Sequence, residues 1–461
     1  MHVTRAYCSL IKILLFLLIT TTDARADEPL RRKIAQMIMI GFDGTTIPES
    51  VRVDLATRNL GGVILLGRNC TSPGQIQQLT SAIKATAQTA PFIAVDQEGG
   101  VVARLNRTNG YDSTHSNFTL GSTYHNLDST SRQATRMATW LRSGGFTTTF
   151  APVVDVNVNP QSPAIGRYGR SFSAKPLIVS EHARSFIDGF HSQGIITALK
   201  HFPGHGSAGT DSHLELPDIT QTWADSELIP YRTLVAANAL DMVMIGHLYN
   251  ARLDSVYPTS LSAKTITGLL RDSLRYNGVI ISDDLYSMRA ITDRYSYGKA
   301  AVLAINAGTD ILLYVWNSMR NGSLLRQVVD TVETNVNSGV IAESKIDAAY
   351  NRIQQLKLRY ALSSAPQATS TAAPQHMQLY QNYPNPFNPV TVIKFGIPSA
   401  SQVTLKVFDI LGREVATLVN EQKSAGTFSV EWNAREVASG VYFYRLEIPG
   451  EIRVKRLVLL Q

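Results

Sequence analysis

Eight short apolar runs recur along the first three-quarters of the chain, separated by longer stretches, many of them amphipathic. The runs are Met37 to Gly41, Gly62 to Leu66, Phe92 to Asp96, Thr149 to Val156, Ile196 to His201, Met242 to His247, Gly278 to Asp283 and Asp310 to Val315. Runs of this length read as strands. Pro73 to Gln88, Lys175 to Gln193 and Ala263 to Tyr276 read as helices between them. Strand–helix alternation implies a parallel sheet, because parallel neighbours need a crossover connection. Eight such units in a segment of this size predict a closed (β/α)8 barrel rather than an open sheet.

Composition removes several other classes. The chain has 461 residues, of which 44% are hydrophobic and 17% charged, so a large core is available and global disorder is excluded. Lys and Arg number 43 against 36 Asp and Glu, a net charge of +7 that is weak over this length. With no basic block in the sequence, nucleic acid is not an expected partner. The two cysteines, Cys8 and Cys70, cannot form a disulfide framework. Cys70 reads as a small buried hydrophobe.

Both ends of the chain carry different signals. Residues 1–26 combine Arg5 and Lys12, the apolar run Ile13 to Ile19 and the small-x-small site Ala24-Arg25-Ala26. That pattern predicts a secretory signal peptide, with a mature start near Asp27. No later stretch is apolar over about 18 residues, so no integral membrane segment is expected after its removal. Residues 27–361 form the catalytic candidate. Residues 362–378 are rich in Ala, Ser, Thr and Pro and read as a linker. Residues 379–461 change character: runs at 392–395, 403–408, 427–432 and 441–446 alternate or are rich in β-branched and aromatic residues. Gly412, Gly426 and Gly440 punctuate them, which predicts a small immunoglobulin-like antiparallel sandwich.

In a (β/α)8 barrel, catalytic groups sit where strands end and loops begin. The polar residues at those positions are Asp96, Asp155, Lys200 with His201, His247, and Asp283 with Asp284. Five such ends are expected to converge on one rim. The densest stretch runs from Lys200 to His213 and holds His201, His205, His213 and Asp211. Four such groups could ligate zinc, which needs three or four convergent ligands. Asp211 and His213 could instead form an acid–base dyad, in which the carboxylate fixes the tautomer and stabilises the protonated ring. Adjacent strand side chains point to opposite faces, so only one of Asp283 and Asp284 should face the barrel mouth. The other suits a capping role.

Taken together, these elements resemble glycoside hydrolase family 3, in its bacterial β-N-acetylglucosaminidase branch. The resemblance spans roughly 30–360. It is carried by Lys200-His-Phe-Pro-Gly-His-Gly with Asp211-Ser-His213, and supported by Gly67-Arg-Asn, Val95-Asp-Gln-Glu-Gly-Gly, Ala151-Pro-Val-Val-Asp155, Gly169-Arg170-Ser-Phe and Ser282-Asp-Asp-Leu. It implies Asp283 as nucleophile and His213 as general acid/base with Asp211 as its partner. It further implies that Asp96, Arg104, Arg170, Lys200 and His201 hold the sugar, with no cofactor and no metal. The family often has Arg directly after the Gly-Gly pair, where this chain has Val101.

The tail resembles the C-terminal sorting domain of type IX secretion cargo. The residues that carry this are Tyr380-Gln-Asn-Tyr-Pro-Asn-Pro-Phe-Asn-Pro, Val407-Phe-Asp-Ile-Leu-Gly-Arg-Glu-Val, Gly440-Val-Tyr-Phe-Tyr-Arg-Leu and Lys455-Arg-Leu-Val-Leu. A carbohydrate-binding sandwich using Trp432, Tyr442 and Tyr444 is the competing reading. The two resemblances imply an exported, secreted or surface-held, retaining exo-β-N-acetylglucosaminidase, with a periplasmic location as the alternative. Its partners would be an N-acetylglucosamine-containing glycan, such as a peptidoglycan fragment or chitooligosaccharide, and the secretion machinery. The alternatives are a family-3 β-glucosidase, a broad β-hexosaminidase, and a surface glycan-binding protein on an inactive barrel.

Overall fold

The computed structural model describes residues 29–316, 323–362, 376–382, 385 and 387–460. The proposed signal peptide and most of the linker lie outside the described residues.

The eight predicted runs form eight parallel strands: β1 (Ile38–Gly41), β2 (Gly62–Leu65), β3 (Phe92–Val95), β4 (Thr148–Thr149), β5 (Ile196–Phe202), β6 (Met242–Ile245), β7 (Val279–Asp284) and β8 (Ile311–Tyr314). Each pairs with its neighbours in sequence, and β8 closes on β1 through Ile38 opposite Leu312 and Ile40 opposite Tyr314. Residues of both parities along each strand are buried, as expected where a barrel interior lies on one side and helices on the other. Helices fill the crossovers. In the helix Pro73–Thr86, the Ser72 Oγ accepts from the Gln75 N–H and Pro occupies the first turn, so both start signals agree.

Two expectations need correction. The strand expected over Thr149 to Val156 is regular only at Thr148–Thr149. Pro152 has no N–H to give to the ladder, and pairing resumes only as a single bridge from Val153 to Lys200. The helix expected over Ala263 to Tyr276 is present as Lys264–Ser273, but with the wider π-type winding.

The tail forms two antiparallel sheets. One orders β9 (Gln378–Leu379), β10 (Val390–Ile397) and β13 (Gly426–Asn433). The other orders β12 (Glu414–Lys423), β11 (Ser401–Phe408), β14 (Gly440–Ile448) and β15 (Glu451–Leu459). Strand β12 was not foreseen. It is an edge strand with only Val419 fully buried, so its charged sequence carries little alternation. Trp432, Tyr442 and Tyr444 are all buried in the tail's own core. The Tyr444 hydroxyl donates to Tyr380 O at 2.8 Å and accepts from the Asn382 N–H at 2.8 Å. These three rings are core, not a sugar-stacking surface.

Candidate active site

The strands deliver their polar termini to one end of the barrel, where a cavity of about 320 Å³ opens. It is lined by Asp96, Arg104, Arg170, Lys200, His201, Asp211, His213 and Asp283, so all eight residues singled out in the sequence meet in one place. The expectation that five strand ends converge on the rim holds only in part. Asp155 and His247 are not among the lining residues. Both are buried and hold neighbouring residues: His247 Nδ1 lies 2.7 Å from Ser260 Oγ, and its Nε2 lies 3.0 Å from Asp284 O.

The floor of the cavity is a charged network. Lys200 Nζ donates to Asp96 Oδ1 at 2.8 Å and lies 2.6 Å from Glu98 Oε1. Arg104 Nη2 donates to Asp96 Oδ2 at 3.2 Å, while its buried Nε has no hydrogen-bond partner among the described residues. Arg170 grips Glu98 with two parallel bonds of 2.9 and 2.8 Å. Burial pushes the Asp96 carboxyl up, but Lys200 and Arg104 outweigh it and hold the group far below the usual carboxylate range. Charged donors and acceptors already fixed in this way suit the hydroxyl groups of one sugar. Glu98 was missed in the sequence reading, although it lies two residues after Asp96 in the same Gly-rich stretch. Its burial and its two cationic partners identify it as the acid that anchors Arg170 and Lys200.

The loop after β5 carries the acid–base candidates. It can fold only because two positions lack side chains. A Cβ on Gly206 would lie 1.7 Å from Val156 O, and Gly204 has φ +128° with the Glu227 side chain against it. Asp155 fixes the start of the loop by accepting from the backbone N–H of both His201 and His205, at 3.0 and 2.8 Å. It also lies 2.7 Å from His201 Nδ1, which places the proton there and leaves Nε2 toward the cavity. Farther along, His213 Nδ1 lies 2.7 Å from Asp211 Oδ1. This bond, chiefly, raises the imidazole pKa above its ordinary value, with help from the nearby Asp283 charge. Burial pushes the Asp211 carboxyl up, but its hydrogen bonds with His213 outweigh that and bring it down to about 2. The loop docks on the segment after β7, where Ala290 N donates to Ser212 O at 3.2 Å.

The paired carboxylates divide their tasks, although both line the cavity. Asp284 is buried and its oxygens are taken by the N–H groups of Tyr286 at 3.0 Å, Ser287 at 3.1 Å and Val315 at 3.0 Å, and by the Ser287 hydroxyl. It caps the turn that follows β7. Among the described residues, Asp283 accepts only from the Asp284 N–H, at 2.8 Å. Burial raises the Asp283 carboxyl, but His247, His201 and His213 outweigh it and keep it below the usual range, so it is ionised at neutral pH. An ionised carboxylate with an uncommitted oxygen can attack carbon; a capped one cannot without breaking its turn. Among the described residues, no group of three His, Cys, Asp or Glu is arranged to hold a metal ion. His201, His205, His213 and Asp211 are therefore not gathered as a ligand set.

Residues 29–356 match the glycosyl hydrolase family 3 N-terminal domain. The chain belongs to glycoside hydrolase family 3. Within the family it is similar to β-hexosaminidase A of Pseudoalteromonas piscicida, at 32% identity over 73% of this chain and 60% of that protein. A β-hexosaminidase of Tolumonas auensis is 37% identical over 60% of this chain and 81% of the relative. Among solved structures, a family-3 β-N-acetylglucosaminidase from Paenibacillus matches with TM-score 0.68 and 33% identity, over 74% of this chain and 65% of that one. The β-N-acetylhexosaminidase of Beutenbergia cavernae matches with TM-score 0.66 and 26% identity, over 72% of this chain and 99% of that one. The chain thus spans under two-thirds of the Pseudoalteromonas and Paenibacillus proteins. Residues 381–460 match a secretion system C-terminal sorting domain. Among the described residues, no helix is long and apolar enough to cross a membrane.

Proposed function

We propose that this protein is a retaining exo-β-N-acetylglucosaminidase that removes terminal β-linked N-acetylglucosamine from peptidoglycan fragments, chitooligosaccharides or related glycans. The observation that carries this is the sharing of one cavity by an uncommitted carboxylate, Asp283, and an oriented imidazole, His213, above a charged floor. Asp283 attacks the anomeric carbon while protonated His213 gives its proton to the leaving oxygen. The glycosyl–Asp283 ester then reacts with water, from which neutral His213 takes a proton. Two displacements at one carbon retain configuration. Asp211 keeps the imidazole in the tautomer that presents Nε2 and stabilises its charged form. Asp96, Arg104, Arg170, Lys200 and His201 hold the terminal sugar. The β-hexosaminidase relatives support the N-acetyl substrate over a glucoside.

The sorting-domain match supports export, in keeping with the signal peptide predicted from residues 1–26, with the tail engaging the secretion machinery. Trapping tests the chemistry. A slowly hydrolysed 5-fluoro β-N-acetylglucosaminide should leave one sugar on the peptide that contains Asp283, detected by mass. A sugar on a different residue, or no adduct from an enzyme that turns the compound over, would contradict the scheme.

A further inference from the structure

Beyond the charged floor, the cavity has an apolar side. Leu66, Val102, Met288, Val315 and Trp316 line it together with the polar residues. Trp316 lies two residues past the end of β8 and is partly buried, so part of the residue is open. The ring is not loosely held. The Arg68 guanidinium stacks over it, with Cζ 3.9 Å from the ring centroid. Arg68 is itself tied down: Nη2 donates to Val315 O at 3.0 Å, and Nε donates to Phe42 O at 3.2 Å and lies 2.7 Å from Asp43 Oδ1. Three protein groups thus fix the cation, and the cation fixes the indole. The charged residues of the floor are already paired with one another, whereas Trp316 offers an apolar aromatic face.

We propose that Trp316, backed by Arg68, forms the platform for the leaving group, and that this platform selects a second pyranose ring. The reading rests on the exo-β-N-acetylglucosaminidase assignment above. One face of a β-linked pyranose presents only C–H groups, which suit an aromatic plane. The hydroxyl groups at its edge stay in water. A pre-fixed ring loses little freedom on binding, so the contact contributes to affinity for the aglycone rather than being spent on ordering the side chain. Trp316 lines the same cavity as His213 and Asp283.

The test compares the disaccharide N,N′-diacetylchitobiose with methyl β-N-acetylglucosaminide, which has the same terminal sugar and no second ring. In Trp316→Leu, the ratio of kcat/KM for disaccharide over methyl glycoside should fall about tenfold, the size expected for a lost aromatic contact. Trp316→Phe, which keeps a flat face and disturbs packing least, should hold that ratio within about threefold of the parent. A ratio unchanged in Trp316→Leu, or an equal loss with Phe and Leu, would overturn the platform. Failure of the underlying assignment looks different, because the parent enzyme itself would then turn over neither compound.

Discussion

Asp211 Oδ1 receives two hydrogen bonds from a single residue, the backbone N–H of His213 at 2.9 Å and its Nδ1 at 2.7 Å. One carboxylate oxygen therefore fixes both where His213 begins and how its ring is turned. The imidazole pKa is raised by this bond, so protonated ring persists to higher pH than for an ordinary histidine. Asp211→Asn keeps the shape but cannot stabilise the cation. Its alkaline limb of kcat/KM should move to lower pH, with activity on a poor leaving group falling about 100-fold, the usual scale of acid–base assistance. Aryl substrates with good leaving groups should lose less. An unmoved alkaline limb would sink the dyad.

Asp283 and Asp284 should separate cleanly by mutation. Asp283→Ala is expected to abolish turnover with the fold retained, as read by circular dichroism. Asp284→Ala removes the acceptor for the N–H groups of Tyr286, Ser287 and Val315. It should lower thermal stability through those unsatisfied donors, by about 1–3 kcal/mol, while leaving measurable turnover. An inactive but stable Asp284→Ala would assign the nucleophile to the wrong carboxylate.

The floor network predicts a stability effect as well as a binding effect. Lys200 Nζ lies 2.8 Å from Asp96 and 2.6 Å from Glu98, and all three are largely buried. Lys200→Met leaves two carboxylates with Arg104 and Arg170 alone. Breaking a buried pair from one side costs about 3–5 kcal/mol, so denaturant midpoints should drop clearly and KM should rise. A variant of parental stability would show that the arginines alone compensate both acids.

Lys357 predicts a pH dependence away from the active site. It is fully buried, with Nζ donating to Gln36 Oε1 at 2.8 Å and Gly61 O at 3.2 Å and no carboxylate partner in either bond. Burial pulls its pKa down to about 7. Unfolded, the group keeps its usual value near 10.5, so between these values the unfolded chain binds more protons. Stability should then rise from pH 7 toward pH 10, with the burial cost fully present below pH 7. Lys357→Met should lose that rise relative to the parent, as measured by thermal denaturation at pH 6 and pH 9. Parallel curves for the two proteins would contradict it.

The barrel was legible because each strand is a compact apolar run, and a parallel strand buried on both faces needs no partner elsewhere in the sequence to be recognised. The regular part of β4 was overestimated because Pro152 interrupts hydrogen bonding without interrupting hydrophobicity. Site residues inside dense motifs, such as Lys200, His201, Asp211 and His213, could be read directly. Asp155 and His247 also terminate strands, yet they support the site from behind, since which face a polar strand end takes is settled by packing against the next loop. Trp316 gave no signal at all. Its place depends on Arg68, 248 positions earlier, and only closure of β8 onto β1 brings the two together.

The most direct measurement is hydrolysis of an aryl β-N-acetylglucosaminide beside the matching aryl β-glucoside by the full mature chain. The account predicts strong preference for the N-acetyl sugar, with kcat/KM higher by at least about 100-fold, as expected when a site is built around a polar substituent that the analogue lacks. Equal rates, or a preference for the glucoside, would contradict the substrate assignment.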